Sequence, residues 1–429
     1  MNKRVKIVMV GGGSVLWSPR FINDMLLMPE LDGAEIVIHD INDEAGEKMV
    51  RFGRMVAEKK SMAVNFWHTK DQREAFTGAD FIIITISTGD LDAMEHDIRI
   101  PEDYRIYQTV GDTVGPGGWA RGLRNIPVFR EMAINIEKYS PHAIVMNYTN
   151  PLATLTKVFY EVGGLKTVGM CHGLFEVYSV LKKIFNLESD EEIKLQIGGT
   201  NHFFWVTELN IRGEDGYDML KRKMGGRPFA ELVNEAYVDG AGFKSDKWVC
   251  SELLKFYGYL PYVGDRHICE FLPFYLTGDI NKLDKYKLKR TSIEERRESK
   301  RNSRERLDEY LNGARKLPEK KSRETAADVI SVILTGGEFI SVLNLPNKGQ
   351  IANLPRGSIV ETLGVVNSLG FVPLTVGSLP EQLLDLVLPH VRNQDMIVEA
   401  GLAGDLDMAL WALYNDPLSA HLTLPEIKE

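Results

Sequence analysis

Two short segments carry residues that could do chemistry together. Cys171-His172-Gly173 closes one apolar run, and Gly11-Gly12-Gly13-Ser14 follows another near the start of the chain. Glycines between a strand and a helix let the backbone turn tightly and approach a pyrophosphate, the task here of Gly11, Gly12, Gly13 and Ser14. Leu16 stands where the usual fingerprint has its third glycine. Asp40, at the end of the next strand-like run, is placed to accept from ribose hydroxyls, which points to NAD rather than NADP. A thiolate and an imidazole beside such a loop point to a divalent metal next to a hydride acceptor. Cys171 and His202 end two neighbouring segments and could ligate one ion, leaving its other positions to substrate or water. Taken singly, Cys171 reads as a small buried hydrophobe and His202 as a hydrogen-bonded core histidine.

These residues need a scaffold, and the apolar patterning supplies an α/β one. Val5–Val10, Glu35–His39 and Phe81–Ile86 read as strands, with helical spacing from about Pro19 to Met28 and from Asp43 to Lys60. Ala143–Met146 and Lys166–Met170 add further short strands. Runs this uniformly apolar belong to a parallel sheet covered on both faces. The expected organisation is an N-terminal, Rossmann-like, doubly wound domain over residues 1–194. A mixed α+β C-terminal domain over 195–429 carries substrate, metal and oligomer contacts. Within it, Phe204–Ile211 reads as a strand, and Pro228–Tyr237 and Ser251–Tyr257 as helices. Residues 282–324, dense in both charges, read as a solvated helical face.

Composition narrows the partners. A chain of 429 residues, 44% hydrophobic, can bury a large core. A net charge of −9 repels polyanions and argues against nucleic acid, leaving a small-molecule substrate. Three cysteines make no disulfide framework and fit a reducing, cytoplasmic setting. The basic opening Met1 to Arg4 precedes too short an apolar run for a signal peptide, and no run reaches the roughly 18 apolar residues of a membrane span.

Six motifs in order resemble those of glycoside hydrolase family 4. They are Gly11-Gly12-Gly13-Ser14, Gly115-Pro116-Gly117-Gly118, Asn147-Tyr148-Thr149-Asn150-Pro151, Cys171-His172-Gly173, Asn201-His202 and Asn344-Leu345-Pro346-Asn347. The resemblance covers nearly the whole chain and implies a hydrolase that uses NAD+ without net oxidation, together with a divalent metal, usually Mn2+. It implies hydride removal from carbon 3 of the sugar, loss of the carbon 2 proton, elimination of the aglycone, addition of water and return of the hydride. Such NAD-dependent members depart from two-carboxylate glycosidase chemistry. By position, Cys171 and His202 resemble the metal ligands and Asn150 the substrate-binding asparagine. Asp265, in Gly264-Asp265-Arg266-His267, resembles the base of the branch acting on unphosphorylated α-glycosides, with His172 beside it on the catalytic side. Tyr257, Tyr259 and Tyr262 are the fallback bases.

His172 and Gly173 stand where members cleaving 6-phosphorylated sugars have other residues. The form resembles α-glucuronidases and, around Val110–Gly118 and Gly264–His267, α-galacturonidases. A uronate carboxylate wants a guanidinium or other cation, for which Arg266, His267, Arg121 and Arg124 are candidates. Relatives are commonly homo-oligomers, dimers or tetramers. The alternatives are a neutral α-galactosidase or α-glucosidase of the family, a hydroxy-acid dehydrogenase with a similar nucleotide domain, and a non-catalytic nucleotide sensor.

Overall fold

The computed structural model describes residues 4–237 and 246–429, so Met1 to Lys3 of the basic opening lie outside the described residues. Six strands, β1 (Lys6–Val10), β2 (Glu35–His39), β3 (Asn65–Thr69), β4 (Phe81–Ile84), β5 (Ile144–Asn147) and β6 (Lys166–Gly169), run parallel in the order β3-β2-β1-β4-β5-β6. That is the Rossmann order, with its switch point between β1 and β4. Alternation along β1 explains why the strands are apolar throughout. Ile7 and Met9 pack into one core with Phe21, Met49 and Phe52, while Val8 and Val10 pack into another with Phe129 and Phe159. The helix Asp43–Lys60 forms as its pattern predicts: Asn42 accepts from Ala45 N–H, acids fill the first turn, and Lys59 and Lys60 fill the last. The edge strand β3 is absent from the sequence reading because Asn65-Phe66-Trp67-His68-Thr69 offers only Phe66 as a fully buried apolar residue.

The second half extends the same sheet. Strands β7 (Ile193–Thr200), β8 (Phe203–Ile211), β9 (Glu214–Asp215), β10 (Leu260–Pro261), β11 (Glu338–Pro346), β12 (Ile359–Asn367) and β13 (Gly370–Pro373) pair antiparallel. β11 joins β6 through Asn344 opposite Gly169, and residue 194 falls inside β7. Leu343, Leu345 and Val366 share a core with Ile7 and Met9, so apolar packing is continuous across the join. The charged stretch forms the helix Ile293–Leu311. It is more than a solvated face. Arg297 pairs with Asp92 and Glu95, Lys300 with Asp90, and Lys48 with Asp308, fastening this helix onto the first half.

This topology gathers the chemistry-bearing segments. Gly11 follows β1, Thr85 follows β4, Asn150 follows β5 and Cys171 follows β6, all at carboxyl ends of parallel strands. That is where ligands bind in open α/β sheets. From the other half, the β7–β8 turn delivers Asn201-His202, and the chain after β10 delivers Gly264 to His267. Among the described residues, no helix is long and apolar enough to cross a membrane.

Candidate active site

The nucleotide loop is built from backbone. Gly11 has φ +72°, and a Cβ on it would lie 2.7 Å from the Thr85 carbonyl oxygen. Only glycine combines that conformation with that closeness. The N–H groups of Gly11 and Gly12 donate to His39 O, and Gly13 N–H donates to Asp40 Oδ2 at 2.9 Å. Asp40 thus ties the loop to the end of β2, with Oδ1 accepting from Asn42 N–H. Each carboxylate oxygen keeps a second lone pair for a ribose hydroxyl. The tight loop, the acid and the strand order together fit a dinucleotide.

Groups that could hold a metal ion come from three distant segments. Ligand atoms of Asp112, His202 and His267 all lie within 4.8 Å of one another, and the two imidazole centroids are 4.0 Å apart. Asp112 is delivered by the loop before the helix Gly115–Tyr139, where Gln108 accepts from Gly117 N–H and donates to Val114 O. Glu270 braces the same loop: its Oε1 accepts from Val110 N–H, Gly111 N–H and the Thr109 hydroxyl. His202 occupies the two-residue turn between Thr200 and Phe203 at φ +62°. A histidine held in the left-handed region carries some backbone strain of the kind found at functional sites.

Protonation states suit metal ligation. Burial pushes the His202 and His267 imidazoles below their ordinary range, keeping them neutral. Asp112 is opposed by burial, yet His267, His202, Arg121 and Arg296 hold its carboxyl well below the usual range. The Thr113 hydroxyl donates to Asp112 Oδ1 at 2.7 Å and lies 3.0 Å from His202 Nδ1. With its proton given to Asp112, Thr113 can only accept from Nδ1–H, which leaves the Nε2 lone pair as the ligand. Two imidazoles and a carboxylate with open positions suit a divalent first-row ion.

The sequence-expected residues fall into three groups. His202 and His267 meet in the cluster. Cys171 lies beside it: Sγ accepts from Gly173 N–H at 3.4 Å, and burial, then the nearby Glu361, push its thiol upward. Cys171 is outside the three-residue set, and Asn201 links its surroundings to Glu361 through a 2.9 Å hydrogen bond. Tyr262 stacks on His202 with centroids 5.8 Å apart and packs on Gly173, whereas Tyr257 packs on Trp205 and Tyr259 on Tyr217.

The others have hydrogen-bond or ion-pair partners outside the cluster. Asp265 is 0% exposed, and its two oxygens accept from Val249 and Cys250 N–H, each at 3.0 Å, at the start of the helix Trp248–Tyr257. His172 is exposed and sits 3.4 Å from Glu324, whose hydrogen bond raises its pKa. The Asn150 carbonyl accepts from Arg121 Nε at 2.8 Å, while Arg124 forks onto Asp97. Asn344 is buried at the join of the two halves, and Asn347 pins its loop by donating to Ile351, Leu354 and Pro355 carbonyls.

Sequence reasoning missed Asp112, Glu270, Glu361 and Arg296. Asp112 was quoted within the Val110–Gly118 motif, and its place beside glycines was the available signal. Glu270 and Glu361 are fully buried carboxyls, each pushed up to about 7 chiefly by burial, and nothing local in their sequence marks them.

Comparisons with known proteins agree with this architecture. Residues 6–187 match the model for Family 4 glycosyl hydrolase, and residues 197–419 match that for the Family 4 glycosyl hydrolase C-terminal domain. An alpha-galacturonidase of Bacillus subtilis (strain 168) is 34% identical over 97% of this chain and 93% of its own length. A crystal structure from Bacillus subtilis, described as a glucosidase, lplD, superimposes with TM-score 0.88 at 32% identity, covering 99% of this chain and 98% of that one. A 6-phospho-alpha-glucosidase from gut microorganisms, in complex with NAD and Mn2+, shares the fold with TM-score 0.80 at 23% identity, covering 99% and 96%. With both halves matched and the relatives aligned end to end, the chain belongs to glycosyl hydrolase family 4.

Proposed function

We propose that this enzyme hydrolyses unphosphorylated α-glycosides of a uronic acid by transient oxidation at carbon 3, elimination and addition of water. The observation that carries the reading is that one chain has both a nucleotide loop at the carboxyl end of β1 and the buried Asp112–His202–His267 cluster. A plain dehydrogenase needs the loop but not the cluster. When bound, NAD+ supplies reversible two-electron oxidation and a divalent cation such as Mn2+ supplies Lewis-acid polarisation at the carbon 3 oxygen.

The chain's own groups do the rest. Asp112, His202 and His267 hold the cation, with Cys171 adjacent, and Thr113 fixes the His202 tautomer. Gly11 to Ser14 and Asp40 hold the dinucleotide. Asn150 and Arg266 border the sugar, and Arg266 offers a guanidinium to a carboxylate. The relatives named alpha-galacturonidase support a uronide, and galactosidases at 29% identity make a neutral sugar the alternative outcome.

For the carbon 2 proton the geometry favours Tyr262 over the expected Asp265. Burial raises the Asp265 pKa, which helps a base, but both its oxygens are engaged with a helix start. We assign Asp265 to positioning: it anchors the segment that presents Arg266 and His267. Substrate deuterated at carbon 2 tests the whole scheme. Turnover in ordinary water should wash the label out, with strict dependence on NAD+ and Mn2+. Full retention would exclude the elimination route. The wash-out should stop in Tyr262→Phe and persist in Asp265→Asn; the reverse result restores Asp265 as the base.

A further inference from the structure

Arg296 has no task in the scheme above, and its neighbour shows why it is unusual. On one turn of the helix Ile293–Leu311, Arg297 points outward to Asp92 and Glu95, while Arg296 turns inward over the Val110–Asp112 loop. Its Nη2 donates to the Val110 carbonyl at 2.9 Å. Its Nε is buried without a hydrogen-bond partner, and so is the Nε of Arg266. Among the described residues, neither guanidinium has a carboxylate within ion-pair distance. The acids near them are Asp112, Glu270, whose Oε2 is buried without a partner, and Glu295, whose carboxylate accepts from Ser292 N–H. Asp112 belongs to the metal-ligating cluster, and Glu270 spends Oε1 on Thr109, Val110 and Gly111.

Two partly buried guanidiniums without an ion-pair partner, each with an unpaired buried N–H, are costly unless a further anion completes them. Once Asp112 serves a cation, Glu270 and Glu295 remain near the two arginines, neither within ion-pair distance of them. A guanidinium is a planar array of donors that matches a carboxylate and mismatches a hydroxymethyl group. We propose that Arg296, with Arg266 beside it, receives the carboxylate of the substrate's uronic acid and so sets selection of the uronide over the neutral sugar. This rests on the uronide reading and names the residue that enforces it. It also gives the charged helix a second function: the ion pairs that fasten it to the first half hold Arg296 over the Val110–Asp112 loop.

The test compares the wild type with Arg296→Gln, Arg296→Lys and, as a control on the same helix, Arg301→Gln, whose arginine is exposed and pairs with Glu298 of its own helix, all loaded with NAD+ and Mn2+. Titration calorimetry measures galacturonate and galactose binding, and steady-state kinetics measure nitrophenyl α-galacturonide turnover. Arg296→Gln should weaken galacturonate binding and raise KM roughly 10- to 100-fold, with kcat changed less than about threefold and galactose binding unaltered. Arg296→Lys, which keeps charge but loses the fork, should fall between, and Arg301→Gln should match the wild type. If Arg296→Gln leaves galacturonate binding intact, or weakens both sugars equally, the proposal is overturned and Arg296 merely supports its loop. A wild type that binds and cleaves the neutral glycoside as well as the uronide overturns the uronide reading itself, without recourse to any variant.

Discussion

The glycine loop after β1 and the Asp112–His202–His267 cluster are made of different material. The loop is main chain: Gly11, Gly12 and Gly13 are fixed by His39 and Asp40, residues of the adjacent strand end. The cluster is side chain, with members drawn from a helix-leading loop, a hairpin turn and the segment after β10. A backbone site tolerates much sequence change provided the chain can bend as required. A side-chain site depends on every member and on the groups that orient each one.

Separate perturbations should therefore part the two regions. The largest effect is expected from His202→Ala, which removes one of the three proposed ligands. Turnover should fall on the order of 1,000-fold, and Mn2+ titrated by electron paramagnetic resonance should stay free, while NAD+ still quenches protein fluorescence. Retained Mn2+ affinity would take His202 out of the metal site. Gly11→Ala is the mirror experiment. Its strained φ and 2.7 Å approach to Thr85 O should cost roughly 10- to 100-fold in NAD+ affinity with Mn2+ binding preserved. Joint loss of both ligands would mean the two regions are coupled. Thr113→Val should be milder, costing at most 10- to 100-fold in Mn2+ affinity by freeing the His202 tautomer, since outer partners of metal-binding histidines have that weight. Unchanged affinity would show that the hydroxyl does not orient the ring.

The smallest effect concerns the brace behind the cluster. Burial raises Glu270 from 4.5 to about 7, so the folded chain takes up this proton more readily than the unfolded chain. The resulting stability is complete below about pH 4.5 and is lost as pH rises through about 7, a contribution on the order of 3 kcal/mol. Glu270→Gln keeps an acceptor for Val110 and Gly111 but cannot titrate. Calorimetry at pH 5 and pH 8 should find a smaller Tm difference in the variant than in the wild type. Equal differences would place the titration elsewhere.

The same contrast explains what could be read in advance. The strands β1, β2 and β4, the helix Asp43–Lys60 and the Gly11–Asp40 pairing rest on neighbours in sequence or on unbroken apolar runs, and they were legible. His202 was found because Asn201-His202 is a compact motif. Asp112 needed the knowledge that a loop folds back over the helix beginning at Gly115. Arg296 was hidden inside Glu294-Glu295-Arg296-Arg297, where charge alone cannot say which arginine turns inward. For Asp265 the local setting resembles a base, while its partners Val249 and Cys250 lie on a helix that sequence did not bring to it.

The seam between β6 and β11 has a consequence for how such chains can be recombined. Gly169 faces Asn344 there so closely that a Cβ would stand 2.9 Å from the Asn344 Cβ and 2.8 Å from Thr156 Oγ1. Neither half is a portable cassette. A chimera that takes its first portion from one homologue and its last from another inherits a working joint only if a bare residue meets a compact amide at this point. A single missing methyl thus limits which parents can be spliced.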